Sequence, residues 1–310
     1  MEIKNFAILE GNSVKINNGK IIYSRPKAIK STKAVVESNE LTKSVPEPPM
    51  DKVIIKSDAN FGNGALSFQV ITSTYESGMM INMTSFDNKE VKCGYSQIYK
   101  QFFIAVLEGN TWKKLSEAGS LSNYDLSEVL HFKIEVNGSQ IQLLINNILM
   151  CSANIAVKET PIEFVLQSMG DIEIFEIKRI SSSPKIFVVM QFTKEYDELF
   201  EEVILPVTKK YGYECIRADE YYTGTPILTD IIKSIQESTA IIAEITPDNP
   251  NVFYEIGYSH AIGKPTILLC DKKRDKLPFD LSGFRTLFYE NTIAGKKKVE
   301  VSLLKYLENI

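Results

Sequence analysis

The alternation of hydrophobic and polar positions changes once along the chain, near residues 181–184. Before that point, short segments alternate between apolar and polar residues, and turn-forming pairs such as Asn137-Gly138 separate them. A period of two is typical of strands with one buried face, and Asn-Gly favours a tight hairpin because both residues tolerate positive φ. We therefore predict an antiparallel β-sandwich over residues 1–180. Its predicted strands are Ala65–Ile71, Met79–Met83, Phe102–Leu107, Phe132–Val136, Ile141–Ile145, Phe164–Gln167 and Ile172–Ile177, with an early strand and a loop over residues 25–50.

After the linker Ser181-Ser182-Ser183-Pro184, continuous apolar runs alternate with segments of helical spacing. Apolar strands separated by helices are typical of a parallel sheet that helices cover on both faces. We predict a doubly wound, five-stranded α/β domain over residues 185–310, with strand order 2-1-3-4-5. The predicted strands are Lys185–Met190, Tyr213–Arg217, Ala240–Ile245, Thr266–Cys270 and Arg285–Tyr289, and the predicted helices are Lys194–Tyr211, Pro226–Glu237, Asn251–Ile262 and Lys298–Leu307.

Composition narrows the function further. The length of 310 residues fits two domains, and a net charge of −4 argues against a protein that binds nucleic acid or anionic lipid through overall charge. No stretch reaches the roughly 18–20 apolar residues of a membrane span. The four cysteines are scattered, without a CxxC pair, and the N-terminal segment lacks the apolar region of a signal peptide. We therefore expect a cytoplasmic protein without disulfides or a metal site.

The candidate site follows from the predicted sheet, because open parallel sheets bind ligands at the carboxyl ends of their strands. The loop after the first strand, Gln191-Phe192-Thr193, has neither the GxGxxG pattern of dinucleotide-binding folds nor that of a P-loop. After the third strand, a helix is predicted to start near Asn251, and Glu255 falls in its first or second turn. The candidate substrate-binding residues are Gln191, Phe192, Asp219, Tyr222, Asn249, Asn251 and Tyr258.

The acidic candidates also have ordinary structural explanations. A glutamate near the start of a helix complements the helix dipole, which by itself would account for Glu255. Asp230 fits an exposed position of the predicted helix Pro226–Glu237.

Four segments of the second domain resemble the nucleoside 2-deoxyribosyltransferase-like proteins, which belong to a wider group that includes the TIR domains. They are KIFVVMQF, YDELFEEVILPV, RADEYYTGTPILTDIIKSIQESTAIIAEIT and NPNVFYEIGYSHAIGKP, over about residues 185–290. In the last segment, the catalytic glutamate of the family falls on Glu255. By the same resemblance, Asp230 matches the aspartate that contacts the base.

The resemblance implies that the domain cleaves an N-glycosidic bond, with Glu255 and Asp230 as the catalytic residues. A carboxylate beneath the anomeric carbon stabilises or traps the oxocarbenium-like centre, and a second acid handles the proton of the leaving base. The implied substrate is NAD, a nucleoside or a nucleotide, and no cofactor or metal is expected. Hydrolysis, transfer and cyclisation stay open, and the enzyme would be an NAD nucleosidase, a nucleoside N-glycosidase or a deoxyribosyltransferase-like hydrolase.

One departure from the transferases concerns the residues just before the glutamate. The transferases carry an aspartate there, whereas this chain offers Asp248, Asn249 and Asn251. An amide can hold a sugar hydroxyl but cannot exchange a proton as a carboxyl group does. The departure leaves open which base is handled and whether transfer occurs.

The first domain resembles the concanavalin-like (laminin-G-like) jelly-roll sandwiches in its hairpin rhythm, most typically in NGSQIQLLINN. Such sandwiches bind more often than they catalyse, which implies a sensor or assembly module with a protein or small molecule as its trigger. The architecture also resembles effectors of bacterial antiviral defence, and enzymes of the TIR-like group often complete their site across a homo-oligomer interface. Besides an enzyme, a non-catalytic module that binds a nucleotide signal and an oligomerising scaffold stay open.

Overall fold

A computed structural model describes residues 1–25, 51–218 and 227–308 of the chain. Within them the chain forms the predicted antiparallel sandwich, followed by the predicted α/β domain. Residues 26–50, which carry most of the predicted early strand and loop, lie outside the described residues. The strands of the sandwich are β1 (Phe6–Glu10), β2 (Val14–Asn17), β3 (Lys20–Tyr23), β4 (Val53–Phe61), β5 (Gly64–Thr72), β6 (Ser77–Thr84), β7 (Glu90–Ser96), β8 (Gln101–Glu108), β9 (Thr111–Ala118), β10 (Leu130–Asn137), β11 (Gln140–Ile145), β12 (Ile148–Asn154), β13 (Thr160–Ser168) and β14 (Ile172–Ile180).

Two seven-stranded sheets make up the described part of the sandwich. Their strand orders are β1-β4-β13-β6-β7-β8-β9 and β12-β11-β10-β5-β14-β3-β2. The side chains between the sheets form one apolar core. At its centre Phe68 stacks on Phe132 of its own sheet and meets Phe164 of the other sheet edge-on, with ring centroids 5.3 Å apart in both pairs. Such aromatic contacts fix the two sheets against each other.

The α/β domain contains a parallel sheet whose order, β16-β15-β17-β18-β19, is the predicted 2-1-3-4-5. Residues 186–189 alternate between the two faces of the sheet, and both faces are buried beneath helices. The helices α3 and α4 pack on the same face of the sheet, the one from which Phe187 and Val189 project. The elements are β15 (Lys185–Val189), α1 (Lys194–Leu199), α2 (Leu205–Lys210), β16 (Glu214–Arg217), α3 (Ile227–Glu237), β17 (Ala240–Glu244), α4 (Pro250–Ala261), β18 (Thr266–Asp271), β19 (Thr286–Tyr289) and α5 (Ile293–Leu307).

Two helices differ from their predicted form. The helix predicted at Lys194–Tyr211 contains a π-helical segment, Phe200–Ile204, between α1 and α2. Pro206 lies in the first turn of α2, and a proline inside a helix removes one backbone hydrogen bond, which a π-helical turn accommodates. The last helix starts at Ile293 rather than Lys298, because the Thr292 hydroxyl accepts a hydrogen bond from the backbone N–H of Gly295 at 3.0 Å.

Candidate active site

A cavity of about 780 Å³ opens at the carboxyl end of β15, between the first turns of α3 and α4. This is the edge of the sheet at which the strand order reverses, between β15 and its two neighbours. Both polar and apolar side chains line it. The described lining residues are Val188, Val189, Met190, Gln191, Phe192, Ala218, Ile227, Leu228, Asp230, Ile231, Asn249, Asn251, Val252, Tyr254 and Glu255.

The start of α4 places Glu255 on the wall of this cavity. The side chain of Asn249 caps the helix by accepting hydrogen bonds from the backbone N–H groups of Asn251 and Val252, at 3.0 and 3.5 Å. Pro250 occupies the first helical position, where its missing N–H costs no hydrogen bond. The cap is therefore two residues earlier than the predicted Asn251, and Glu255 lies in the second turn of the helix.

The Glu255 side chain is nearly buried, with 8% of the residue surface exposed. Burial raises its pKa from the ordinary 4.5 to about 7. Within the described residues, no hydrogen bond or ion pair reaches its carboxylate. A buried carboxyl group without a compensating partner prefers its neutral form, which explains the direction of the change in pKa.

Asp230 lies in the first turn of α3 and lines the same cavity. Because α3 and α4 pack side by side on one face of the sheet, the two acids approach one space from neighbouring helices. Two carboxyl groups in one concave site can divide the work of cleaving a glycosidic bond, with one group at the sugar and the other at the leaving base.

Aromatic rings stand at the mouth of the cavity. Phe192 and Tyr254 both line it, and each is 51% exposed. The guanidinium group of Arg217 lies 5.4 Å from the centroid of the Phe192 ring and is held by Asp197 at 2.8 Å. The exposed rings offer flat apolar surfaces on which a base can stack.

Most of the predicted site residues come together in this cavity. Besides Glu255 and Asp230, the lining includes Gln191, Phe192, Asn249 and Asn251. Asp219 and Tyr222 lie outside the described residues.

Tyr258 is the exception, because it lies one turn further along α4 and does not line the cavity. Its hydroxyl oxygen instead accepts a hydrogen bond from Nε2 of Gln236 at 2.6 Å, near the end of α3. One turn beyond Glu255, the Tyr258 side chain thus contacts the neighbouring helix α3.

Asp248 also turns away from the cavity. Its carboxylate pairs with the Arg274 guanidinium group at 2.6 Å, and Arg274 donates to the backbone oxygens of Ile245 and Thr246 at 2.8 and 2.7 Å. Of the three polar residues that precede Glu255, only Asn249 and Asn251 therefore line the cavity, and Asp248 does not.

Several lining residues were not predicted from the sequence. Met190, Leu228, Ile231 and Tyr254 form apolar parts of the wall. Tyr254 directly precedes Glu255 in the sequence, and this position could have identified it as a residue near the site. The aliphatic residues resemble any core position in sequence, and only the fold shows that they face a cavity.

A second buried carboxyl group, that of Glu244, lies on the opposite face of the sheet at the end of β17. It accepts hydrogen bonds from the Thr246 backbone N–H at 2.8 Å and from the Tyr289 hydroxyl at 3.0 Å. Burial raises its pKa from 4.5 to about 7, as it does for Glu255. Glu244 is satisfied inside the protein, whereas Glu255 faces a cavity.

The described residues contain no group of three or more His, Cys, Asp or Glu side chains placed to hold a metal ion. In the same part of the chain, no helix is both long and apolar enough to span a membrane.

No protein-family model matches the chain, and no curated protein matches it in sequence. Weak likenesses to solved structures exist for each part. A carbohydrate-binding module from Bacillus subtilis is 9% identical, with a TM-score of 0.40, over 58% of this chain and 97% of its own. A β-glucanase from Bacillus licheniformis is 11% identical, with a TM-score of 0.37, over 55% and 82%.

The third likeness is to the TIR domain of a Toll-related receptor from Hydra magnipapillata. It is 14% identical, with a TM-score of 0.33, over 40% of this chain and 97% of that domain. Likenesses of this strength leave the function to be argued from the site itself.

Proposed function

We propose that the α/β domain cleaves an N-glycosidic bond in NAD or in a related nucleotide or nucleoside. The observation that carries this proposal is the Glu255 carboxyl group, buried on a cavity wall without a partner in the described residues, with Asp230 on the same cavity. The likeness of the surrounding sequence to the deoxyribosyltransferase-like and TIR-like proteins supports it.

The chemistry assigns different roles to the two acids. Ionised Glu255 lies below the anomeric carbon, and the C–N bond breaks with its electron pair going to the base. The sugar cation is stabilised by the carboxylate or trapped on it as an ester. Water then adds to the anomeric carbon, its proton leaves to a base, and the Glu255 carboxylate is restored. NAD or the nucleotide is the substrate, and the reaction needs no cofactor.

Asp230 serves the leaving base. A purine or pyrimidine leaves a nucleoside as an anion unless it gains a proton, which a carboxylic acid can provide. Nicotinamide leaves NAD as a neutral molecule, because its ring nitrogen carries a positive charge in the substrate. Asp230 is therefore needed as a proton donor for a nucleoside but not for NAD.

The sandwich, in this proposal, is a sensor or assembly module, and the protein acts as a homo-oligomeric effector in bacterial antiviral defence. Size-exclusion chromatography with light scattering tests the assembly. A monomer that is fully active at every concentration would refute the oligomeric part.

Binding of a nucleotide without turnover is the second candidate. It is favoured by the position of Asp248, whose carboxylate pairs with Arg274 and leaves amides at the mouth of the cavity. A site that has amides in place of a third carboxyl group has fewer groups that can exchange a proton, as expected for a module that binds a ligand without converting it.

The test is chromatography of NAD and of a panel of deoxynucleosides after incubation with the full chain. We expect base release from at least one of them, and a loss of about 100-fold or more in Glu255→Gln. The matched control is Glu201→Gln, which changes an exposed glutamate on another helix. Full activity in Glu255→Gln would refute the proposed mechanism, and binding without any product would favour the second candidate.

A further inference from the structure

The tip of the hairpin between β10 and β11 lies against the last turn of α3. The backbone N–H and the hydroxyl group of Ser139 both donate to the backbone oxygen of Gln236, at 2.9 and 3.1 Å. Ser139 is completely buried in this contact. The sandwich thus supplies hydrogen-bond donors to a carbonyl group that the end of a helix leaves without a partner.

Gly138 makes this approach close. Its φ is +60°, and a Cβ atom there would lie 2.2 Å from the backbone oxygen of Ser238 and 2.5 Å from the carbonyl carbon of Glu237. Any larger side chain at position 138 must push the hairpin away from α3. Its N–H also donates to Oδ1 of Asn63 at 3.1 Å, and Asn63 donates to the Ser182 hydroxyl of the linker at 2.7 Å.

Lys264 holds the same carbonyl groups from within the α/β domain. Its ammonium group donates to the backbone oxygen of Gln236 at 3.0 Å and to that of Ser238. The residue is only 3% exposed, and burial lowers its pKa from 10.5 to about 7. A cationic donor at the C-terminus of a helix is favourable because the helix dipole is negative there.

The other end of α3 is part of the cavity. Ile227, Leu228, Asp230 and Ile231 all line it. The helix has 11 residues and is therefore about 16 Å long, so one rigid element connects the hairpin of the sandwich to the candidate site. The hydrogen bond from Gln236 to Tyr258 also ties its far end to α4, which carries Glu255.

We propose that the β10–β11 hairpin sets the position of α3, and through it the position of Asp230 relative to Glu255, so that the sandwich controls the candidate site; this inference rests on the proposed function. Ser139 and Gly138 are positioning residues, because they act on the site only through the helix. A trigger that moves the hairpin changes the distance between the two acids.

The test compares two glycine substitutions in the full chain. Gly138→Ala places a methyl group against α3. Gly109→Ala is the matched control, because Gly109 has a φ of +62° at another hairpin tip and a Cβ atom there meets nothing within 4 Å. Both variants carry the same backbone strain, and only the first disturbs the contact between the domains. Ser139→Ala is a milder third variant that removes one of the two hydrogen bonds to Gln236.

Two measurements follow each variant: kcat and KM for a cleaved nucleoside, whose leaving base takes a proton from Asp230, and amide hydrogen exchange of residues 227–237 by mass spectrometry. We expect faster exchange in α3 and a loss of about fivefold or more in kcat for Gly138→Ala, with Ser139→Ala in between and Gly109→Ala unchanged. The loss falls on kcat more than on KM, because Asp230 acts on the leaving base.

The outcomes separate this inference from the proposed function. If the wild-type chain cleaves no substrate, the proposed function fails. In that case, or if the chain cleaves only NAD, hydrogen exchange alone decides whether the hairpin holds α3. If the wild-type chain is active and Gly138→Ala matches Gly109→Ala in kcat, KM and exchange, the coupling is refuted and the proposed function stands. Faster exchange in α3 with unchanged kcat also refutes the coupling.

Discussion

Replacing Glu255 by glutamine is expected to favour the folded state more at pH 8 than at pH 5, while removing the proposed activity. Burial raises the pKa of Glu255 from 4.5 to about 7 in the folded state. Between these two values the folded state holds a proton that the unfolded state has lost, so folding becomes less favourable as the pH rises. Each pKa unit corresponds to about 1.4 kcal/mol, which makes the full cost about 3 kcal/mol above pH 7. Below pH 4.5 the cost disappears.

Glutamine does not ionise and carries no such pH-dependent cost. We expect the difference in unfolding free energy between Glu255→Gln and the wild type to be about 2–3 kcal/mol larger at pH 8 than at pH 5, in favour of the variant. Burying an amide instead of a carboxyl group has a cost of its own, but that cost is the same at both pH values. Glu244 titrates in both proteins and cancels in the comparison.

Urea unfolding followed by circular dichroism at 222 nm suits this measurement. In the described parts of the chain every α-helix lies in the α/β domain, so the helical signal follows the domain that contains Glu255. The single tryptophan, Trp112, lies on β9, and its fluorescence follows the sandwich. Glu201→Gln, at an exposed position, is the matched control. An equal stability change at both pH values for Glu255→Gln would show that its carboxyl group is well solvated, which would refute the reasoning from burial.

Two further substitutions test the division of roles among the acidic groups. Asp230→Asn should lower nucleoside cleavage by about 100-fold and leave NAD cleavage nearly unchanged, since only the nucleoside base needs a proton on leaving; equal losses for both substrates, measured by chromatography, would contradict this role. Tyr289→Phe removes the hydroxyl that donates to buried Glu244 at 3.0 Å and should cost about 1.5–3 kcal/mol in urea unfolding at pH 8. Unchanged stability in Tyr289→Phe would show that this hydrogen bond contributes nothing to the fold.

The architecture of the α/β domain was predictable because its strands are buried on both faces. Residues 240–243 are all apolar and buried, and such runs between amphipathic helices identify a parallel sheet with few alternatives. The position of the cavity at its carboxyl edge follows from the same topology. The exact start of α4 was less predictable, because Asn249 and Asn251 are equally good capping residues and Pro250 decides between them by its preference for the first helical position.

The sandwich was predictable in class but only in part by strand. The strand β9 was not predicted, because it is an edge strand whose residues are mostly exposed and show no alternation. In β4 the residues that point inwards include Ser57 and Ala59, which weaken the apolar signal. Hydrophobic periodicity reports the contrast between the two faces of a strand, and these strands have little contrast.

The contact between the domains could not be read from the sequence. A tight hairpin was predicted at Asn137-Gly138 and is present, with Gly138 and Ser139 as its two turn residues, but its role against α3 depends on where the sandwich docks. Lys264 lies between α4 and β18 in the chain, and nothing in this position indicates that it is buried against the end of α3. Such contacts join residues far apart in the chain, and no local pattern encodes them.

The comparison of Glu244 with Glu255 shows why the second is the better candidate for function. The two carboxyl groups have similarly raised pKa values, so titration behaviour alone does not distinguish them. Glu244 is held by Tyr289 and Thr246, and its hydrogen bonds offset part of the cost of burial. Glu255 has no such compensation within the described residues, and its side chain faces a space large enough for a nucleoside. Burying Glu255 without a hydrogen bond lowers the stability of the fold. A role in substrate binding explains such a residue, because the bound substrate would supply the contacts that the folded chain lacks.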